Sequence, residues 1–170
     1  MYCFRIITGN SIVGDKWTMI FFVIFLDAFW SGIAALGFAI LFNVPRRVLY
    51  ACVLCGALGH AMREVAIQVG LPLPTATLVG SSVVGFMAIF LARYHKMPSS
   101  IFAITGAIPM VPGVFAFRTM IYILQIPEAD NSDILLIAAR NGVMTGLVLA
   151  AIAIGIAAPR LIFLRPKPVV

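Results

Sequence analysis

Charge is what this sequence has least of. Only 11% of its 170 residues are Asp, Glu, Lys or Arg, where a soluble domain carries roughly 25%. That shortage excludes an ordinary water-soluble domain, and it excludes a disordered segment, which needs high net charge and low hydrophobicity. Cysteine is scarce as well: Cys3, Cys52 and Cys55 are an odd number and supply no disulfide framework and no statement about redox compartment. Strict apolar–polar alternation is missing, which argues against an outer-membrane barrel. There is no phosphate-binding Gly-rich loop, no HExxH pair and no Ser-His-Asp set. An ATP-driven pump within this chain is thereby excluded. An intramembrane enzyme would lack both an activated nucleophile and a metal set.

What is present is apolar length. Hydrophobic residues make up 62% of the chain and the mean hydropathy is +1.09. A helix needs about 20 mainly apolar residues to cross a bilayer, and five windows qualify: 17–42, 48–69, 75–92, 101–125 and 134–158. The third is the shortest and the least secure as a full span. Each connection contains proline (NVPRR, GLPLP, RYHKMPSS, IPEADNSD), which favours stopping or starting a helix there. The expected fold is an all-α integral membrane protein with five transmembrane helices. Residues 1–16 read as an N-terminal extension without the pattern of a signal peptide, 17–158 as the membrane domain and 159–170 as a basic tail.

The basic excess is a matter of topology. Arg46 and Arg47, Arg93 and Lys96, and Arg160, Arg165 and Lys167 fall in alternate connections and the tail. The 126–133 loop instead carries Glu128, Asp130 and Asp133. With five spans all the strongly basic segments share one face, which should be cytoplasmic, so the N-terminus is out and the C-terminus in. Arg5 and Lys16 conflict mildly with this arrangement. Nucleic acid is not an expected partner; the lipid bilayer is.

Within the windows lie Asp27, His60, Arg63, Glu64, Arg118 and Arg140. Such residues are costly in hydrocarbon and usually face a protein interior or a water-filled cavity. At ~1.5 Å per residue, Asp27 and His60 lie ~15 Å deep and the three arginines ~10 Å, with Asn141 just below. A layered polar cluster on four helices is the simplest expectation. In the second window Gly56, Gly59, His60 and Arg63 share a stripe, with Glu64 one turn from His60. An arginine can hold a carboxylate in a bidentate fork, and a nearby histidine can exchange a proton at physiological pH. Alternatively, Arg63 pairs with Asp27 or Glu64 and only locks the bundle.

The fourth window contains Pro109, Pro112 and Gly113, which cannot continue a regular helix. A break at 109–113 either lines a transport site or is a static kink. In the fifth window Gly142 and Gly146, continued by Ala150 and Ala153, mark a close helix contact, and Ser81 and Gly85 make a similar face in the third. Cys52-x-x-Cys55 reads as packing rather than a metal or redox pair, and His95 as a solvated loop residue. Neither metal nor cofactor is expected.

The segments GFAILFNVPRR (37–47), GALGHAMRE (56–64) and GAIPMVPGVFAF (106–117), with Asn141 in the last window and Asp27 sixteen residues before Asn43, resemble the short subunit of the threonine/serine exporter (ThrE-like) family. The resemblance extends over residues 19–165. It implies a bacterial inner-membrane exporter of two components, in which this chain works with a larger ThrE-like membrane subunit of opposed topology. The first substrate it implies is succinate, a small carboxylate, with threonine/serine export as the alternative. A non-transporting assembly subunit, or association with further copies of the same chain, stays open. The candidate substrate-binding or coupling residues are Asp27, His60, Arg63, Glu64, Pro109, Pro112, Gly113, Arg118, Arg140 and Asn141.

Overall fold

Three of the connections between helices are built on one local plan. In a computed structural model, which describes the backbone of residues 13–125 and 132–163 and the side chains of 19–125 and 133–162, Asn43, Gly70 and Lys96 have φ of 55°, 99° and 52°. Each is followed two residues later by a proline, at Pro45, Pro72 and Pro98. The next amide after each left-handed residue donates back around the helix end: Val44 N–H to Ala39 O at 3.0 Å, Leu71 to Ala66 at 3.1 Å, Met97 to Ala92 at 3.1 Å. This is the Schellman stop. The proline then pushes its predecessor out of helical space and begins the next element.

These stops delimit α1 (Val13–Leu41), α2 (Leu49–Gln68), α3 (Leu73–His95), α4 (Ser99–Ala107), α5 (Gly113–Gln125) and α6 (Ser132–Phe163). Single 3₁₀ turns at Arg46–Val48 and Ile108–Met110 lead into α2 and follow α4. No strand occurs among the described residues. α1, α3 and α6, and α2 with its leading turn, are long and apolar enough to cross a membrane; α4 and α5, bent by 56°, make a fifth span if they cross together.

Gly70 gives a direct test of the plan. A Cβ there would meet nothing within 4 Å, so Gly70→Ala carries the left-handed penalty alone, about 1–2 kcal/mol. Its unfolding midpoint in detergent should fall by about 3–6 °C. Gly37→Ala, in mid-helix with equally open space, should raise the midpoint instead. A shift of both in the same direction would contradict the assignment.

Packing centres on α2, which touches α1, α3 and α4, and on α3, which also packs against α6. Cys52, Cys55, Val84, Ala88, Phe102, Met110 and Val148 form the middle of the core. The third window, expected to be the weakest span, is the most deeply packed one, extended to 23 residues. Its small residues explain this. Gly80 lies against α2, while Ser81 and Gly85 lie against Gly155 and Pro159 of α6. The bulky apolar side chains of α1, among them Phe21, Phe25, Phe29 and Trp30, point outward, as a lipid-facing surface requires.

The α3–α6 contacts run in parallel register. Ser81 meets Ala151 and Gly155, and one turn on Gly85 meets Gly155 and Pro159. α3 and α6 can run the same way only if α4 and α5 together carry the chain back from one end of the bundle to the other. A re-entrant loop would return it to the end it left and make α6 antiparallel to α3. The expected contact of the fifth window divides: Gly142 meets Thr119 of α5, whose Cγ2 a Cβ would approach to 3.4 Å, whereas Gly146 faces open space and Gly155 makes the close approach to α3. Spacing identifies a stripe of small residues on a helix, whereas the crossing point decides which of them meets a neighbour.

His95 is another correction. It ends α3, half-buried, with its Nε2 3.0 Å from the Tyr50 hydroxyl and its ring 6.1 Å from that of Phe102. The start of α2 and the end of α3 are therefore side by side, which brings the basic 43–47 and 93–100 segments to the same end of the bundle. The extension 1–12, the acidic Glu128 and Asp130, and the tail residues Arg165 and Lys167 lie outside the described residues.

Candidate functional site

Glycine on α2 is what brings four elements to one point. A Cβ on Gly56 would stand 2.6 Å from Ala35 of α1, and one on Gly59 would overlap Val84 of α3 and lie 2.7 Å from Met110 Cε. From the other side, a Cβ on Gly80 would come within 2.7 Å of the Gly59 carbonyl and 2.9 Å of Arg63 Cβ. The glycines thus serve close helix approach, one of the two roles open to them in the sequence. Across the α1–α2 contact the Ser31 hydroxyl donates to the Gly56 carbonyl at 3.1 Å. α1 and α2 are antiparallel there, so one turn farther along Asp27 comes level with His60.

The helix break completes the cluster. It falls where Pro109, Pro112 and Gly113 lead the sequence to expect it. After the 3₁₀ turn, Val111 is extended (φ −60°, ψ 131°) and α5 restarts at Gly113. Pro112 has no N–H to offer the carbonyls behind it. The Val111 amide returns to Ile108 and the Gly113 amide to Val111, at 3.0 and 2.9 Å. The carbonyl of Met110 is served from another helix: Arg63 Nη1 of α2 donates to it at 3.3 Å. A guanidinium is well suited to the C-terminal end of a helical segment, where unpaired carbonyls concentrate negative charge.

Around this contact, His60 Nδ1 is buried with no hydrogen-bond partner among the described residues, a rare condition for a buried polar atom and one that calls for a reason. Arg63 interacts electrostatically with Glu64 and, less strongly, with half-buried Asp27, and forms a salt bridge with neither. Glu64 accepts a hydrogen bond from Gln68 at 2.8 Å within its own helix. The alternative reading of Arg63, a pair with Asp27 or Glu64, is present as electrostatic attraction without a salt bridge, and the guanidinium's hydrogen bond goes to backbone. Pro112 is buried, Pro109 half-buried, and Gly113 exposed with open space where a Cβ would be.

The remaining candidates stand apart. Arg118 on α5 and Arg140 on α6 are exposed, and Asn141 donates to the Ile137 carbonyl of its own helix at 2.8 Å. α5 packs chiefly on α6. The expected layered cluster therefore divides into Asp27, His60 and Arg63 in the bundle at the Pro109–Pro112 break, with Glu64 beside them, and Arg118, Arg140 and Asn141 apart. Sequence reasoning missed the Met110 carbonyl because a backbone acceptor carries no residue-type signal; the available hint was the proline two residues on. It also missed Gly80 and Gly106, which make room for α2. Cys52 and Cys55 are free and buried, and the Cys55 thiol donates to the Val84 carbonyl at 3.6 Å, as packing residues do.

Comparison with known proteins agrees with the motifs. A family model described as "Threonine/Serine exporter, ThrE" matches residues 27–162. An uncharacterised protein of Haemophilus influenzae is 37% identical over 145 residues, which are 85% of this chain and 49% of that protein. The chain thus spans about half the length of the curated relative it matches. No solved structure matches it.

Proposed function

Because the chain belongs to the threonine/serine exporter family, we propose that it is the short subunit of a two-component inner-membrane exporter of a small carboxylate metabolite, succinate first among them. One observation carries this reading: the Arg63 guanidinium sits at a broken helix inside the bundle, beside the unpartnered Nδ1 of His60. Among the described residues only one of its donors is engaged, with Met110, so a bidentate face is left for a carboxylate. Broken helices inside membrane bundles line substrate sites in other transporters. His60 and Asp27 would carry coupling protons, and the 109–113 break would move as the gate.

Threonine/serine export is the second reading, supported by the description of the family. The motif resemblance supports a larger ThrE-like subunit as partner. The common end of the 43–47 and 93–100 segments supports a cytoplasmic face at that end, N-terminus out, and five spans.

The test is efflux of labelled succinate and labelled threonine from cells containing this chain with and without the larger subunit. Succinate efflux that needs both chains is the expected result. If neither solute moves in any combination, the transport reading fails; efflux from this chain alone would remove the second component.

A further inference from the structure

α1 and α2 lie side by side, and an apolar groove runs between them on the outer surface. Its floor is built of small residues, Ala28 and Gly32 of α1 and Ala57 of α2. A Cβ on Gly32 would stand 3.1 Å from Val53 Cγ1 and 3.6 Å from the Ala57 Cβ. Phe25 and Phe29 stand exposed along one wall. From Phe25 to Leu36 the groove is ~16 Å long, close to the ~15 Å of hydrocarbon in one leaflet. Its volume is about 590 Å³, a mean cross-section of roughly 40 Å² over that length. A helix with its side chains, ~10–12 Å across, needs roughly 80–110 Å². So slender a groove takes a polymethylene chain lengthwise and admits no more than the ridge of a helix.

Leu36 is five residues, ~7.5 Å, from the end of α1 at Leu41. The chain then passes to α2 through a turn that carries Arg46 and Arg47, both exposed. Arg93 and Lys96 share that end of the bundle, as the contact of Tyr50 with His95 shows. The six acids of the chain lie elsewhere. Asp27 and Glu64 are fourteen and fifteen residues from Leu41 and Leu49, ~21–23 Å deeper. Asp15 and Asp133 are in the first turns of α1 and α6, at the opposite end. Glu128 and Asp130 fall in sequence between Gln125 and Ser132, two helix ends on that same far side, and neither 1–12 nor 164–170 contains an acid. The charge at the head of the groove is therefore of one sign.

We propose that this groove is a binding site for an anionic phospholipid of the leaflet at the basic end. One acyl chain lies along Gly32 and Ala57, and the phosphate meets the guanidinium groups of Arg46 and Arg47. Arginine holds a phosphate through paired, charge-assisted hydrogen bonds, and basic clusters beside a membrane helix attract anionic headgroups. Tyr50 is exposed on the same stripe of α2, one turn before Val53. It stands at the level of the headgroups, where tyrosine is favoured. The site does not depend on which solute the protein moves.

The test is photolabelling of the full chain in phosphatidylcholine vesicles. They contain a trace of phosphatidylglycerol with a diazirine in its acyl chain or, in parallel, phosphatidylcholine with the same labelled chain. Labelled positions are read by mass spectrometry. Phosphatidylglycerol adducts are expected to concentrate at residues 25–36 and 53–57 and to exceed those of the phosphatidylcholine label. Arg46→Gln with Arg47→Gln should cut that preference by roughly 10- to 30-fold. Ala57→Leu, which fills the floor, should move the adducts out of the groove. The unfolding midpoint controls for folding, and if the leucine variant does not fold, the charge variant on its exposed turn decides alone. Adducts spread evenly over α1, Phe21 and Phe22 included, would be boundary lipid only and overturn the proposal. Equal labelling by the two lipids, or a preference unchanged in the glutamine variant, overturns it as well. Finally, p-benzoylphenylalanine is placed at Phe29 in native membranes. Lipid adducts there support the site; a protein adduct, to a second copy or to another chain, makes the groove a protein interface and overturns it.

Discussion

Arg63→Gln is expected to fold and reach the membrane but to lose succinate efflux by roughly 10- to 100-fold, the equivalent of the 1.5–3 kcal/mol carried by a charge-assisted hydrogen bond. Glutamine keeps an N–H directed toward the Met110 carbonyl, two bonds short of the Nη1 that reaches it at 3.3 Å, so the broken helix keeps more of its support than with alanine while the anion site loses its charge. Arg63→Ala removes both and should also lower the unfolding midpoint, because it strands a carbonyl that is now satisfied by a 3.3 Å bond. Lysine keeps the charge as a single point and loses the fork; Arg63→Lys should retain export at a raised half-saturating concentration. The three variants together separate the two duties of one side chain. Wild-type efflux in Arg63→Gln would show that the guanidinium is a structural cap and nothing more.

The largest stability effect should come from Gly80→Val. The first carbon added there meets the Gly59 carbonyl at 2.7 Å and Arg63 Cβ at 2.9 Å, and a helix backbone cannot yield as a flexible side chain can. Overpacking of this kind costs about 1–3 kcal/mol and sometimes more, and the upper end applies because two helices must separate. The unfolding midpoint in detergent should fall by about 5–10 °C, and export should fall with it, since the same separation draws Arg63 from the break. Gly146→Val is the matched control, as a Cβ there meets nothing within 4 Å. Equal losses in the two variants would mean that the α2–α3 contact is not the one that matters.

Much of the fold was legible because membrane helices announce themselves locally. Apolar length, the prolines after each left-handed stop, and the Pro109–Pro112–Gly113 break are all properties of a few neighbouring residues. The asymmetric basic segments were equally local. The site was legible in part: Gly59, His60 and Arg63 share one face of α2 by spacing alone. Arg118 and Arg140 were grouped with them on depth, which a helix count supplies, although nothing in depth says which way a side chain faces. The glycine contacts on α6 have the same origin. Gly142 and Gly146 lie on one stripe, but Gly142 meets α5, Gly146 meets nothing, and α3 crosses α6 nearer Gly155.

By itself, then, the sequence determined the all-helical architecture, where the helices stop and break, and the stripe that carries the polar groups. Those outcomes follow from backbone geometry and from transfer of short segments out of water, which need no knowledge of distant residues. Only the tertiary structure decided that Arg63 holds the Met110 carbonyl, that α3 is the central span, and that two arginines face outward on α5 and α6. Each of these depends on the register and crossing of helices far apart in the chain. Steric fit at a few glycines sets that register.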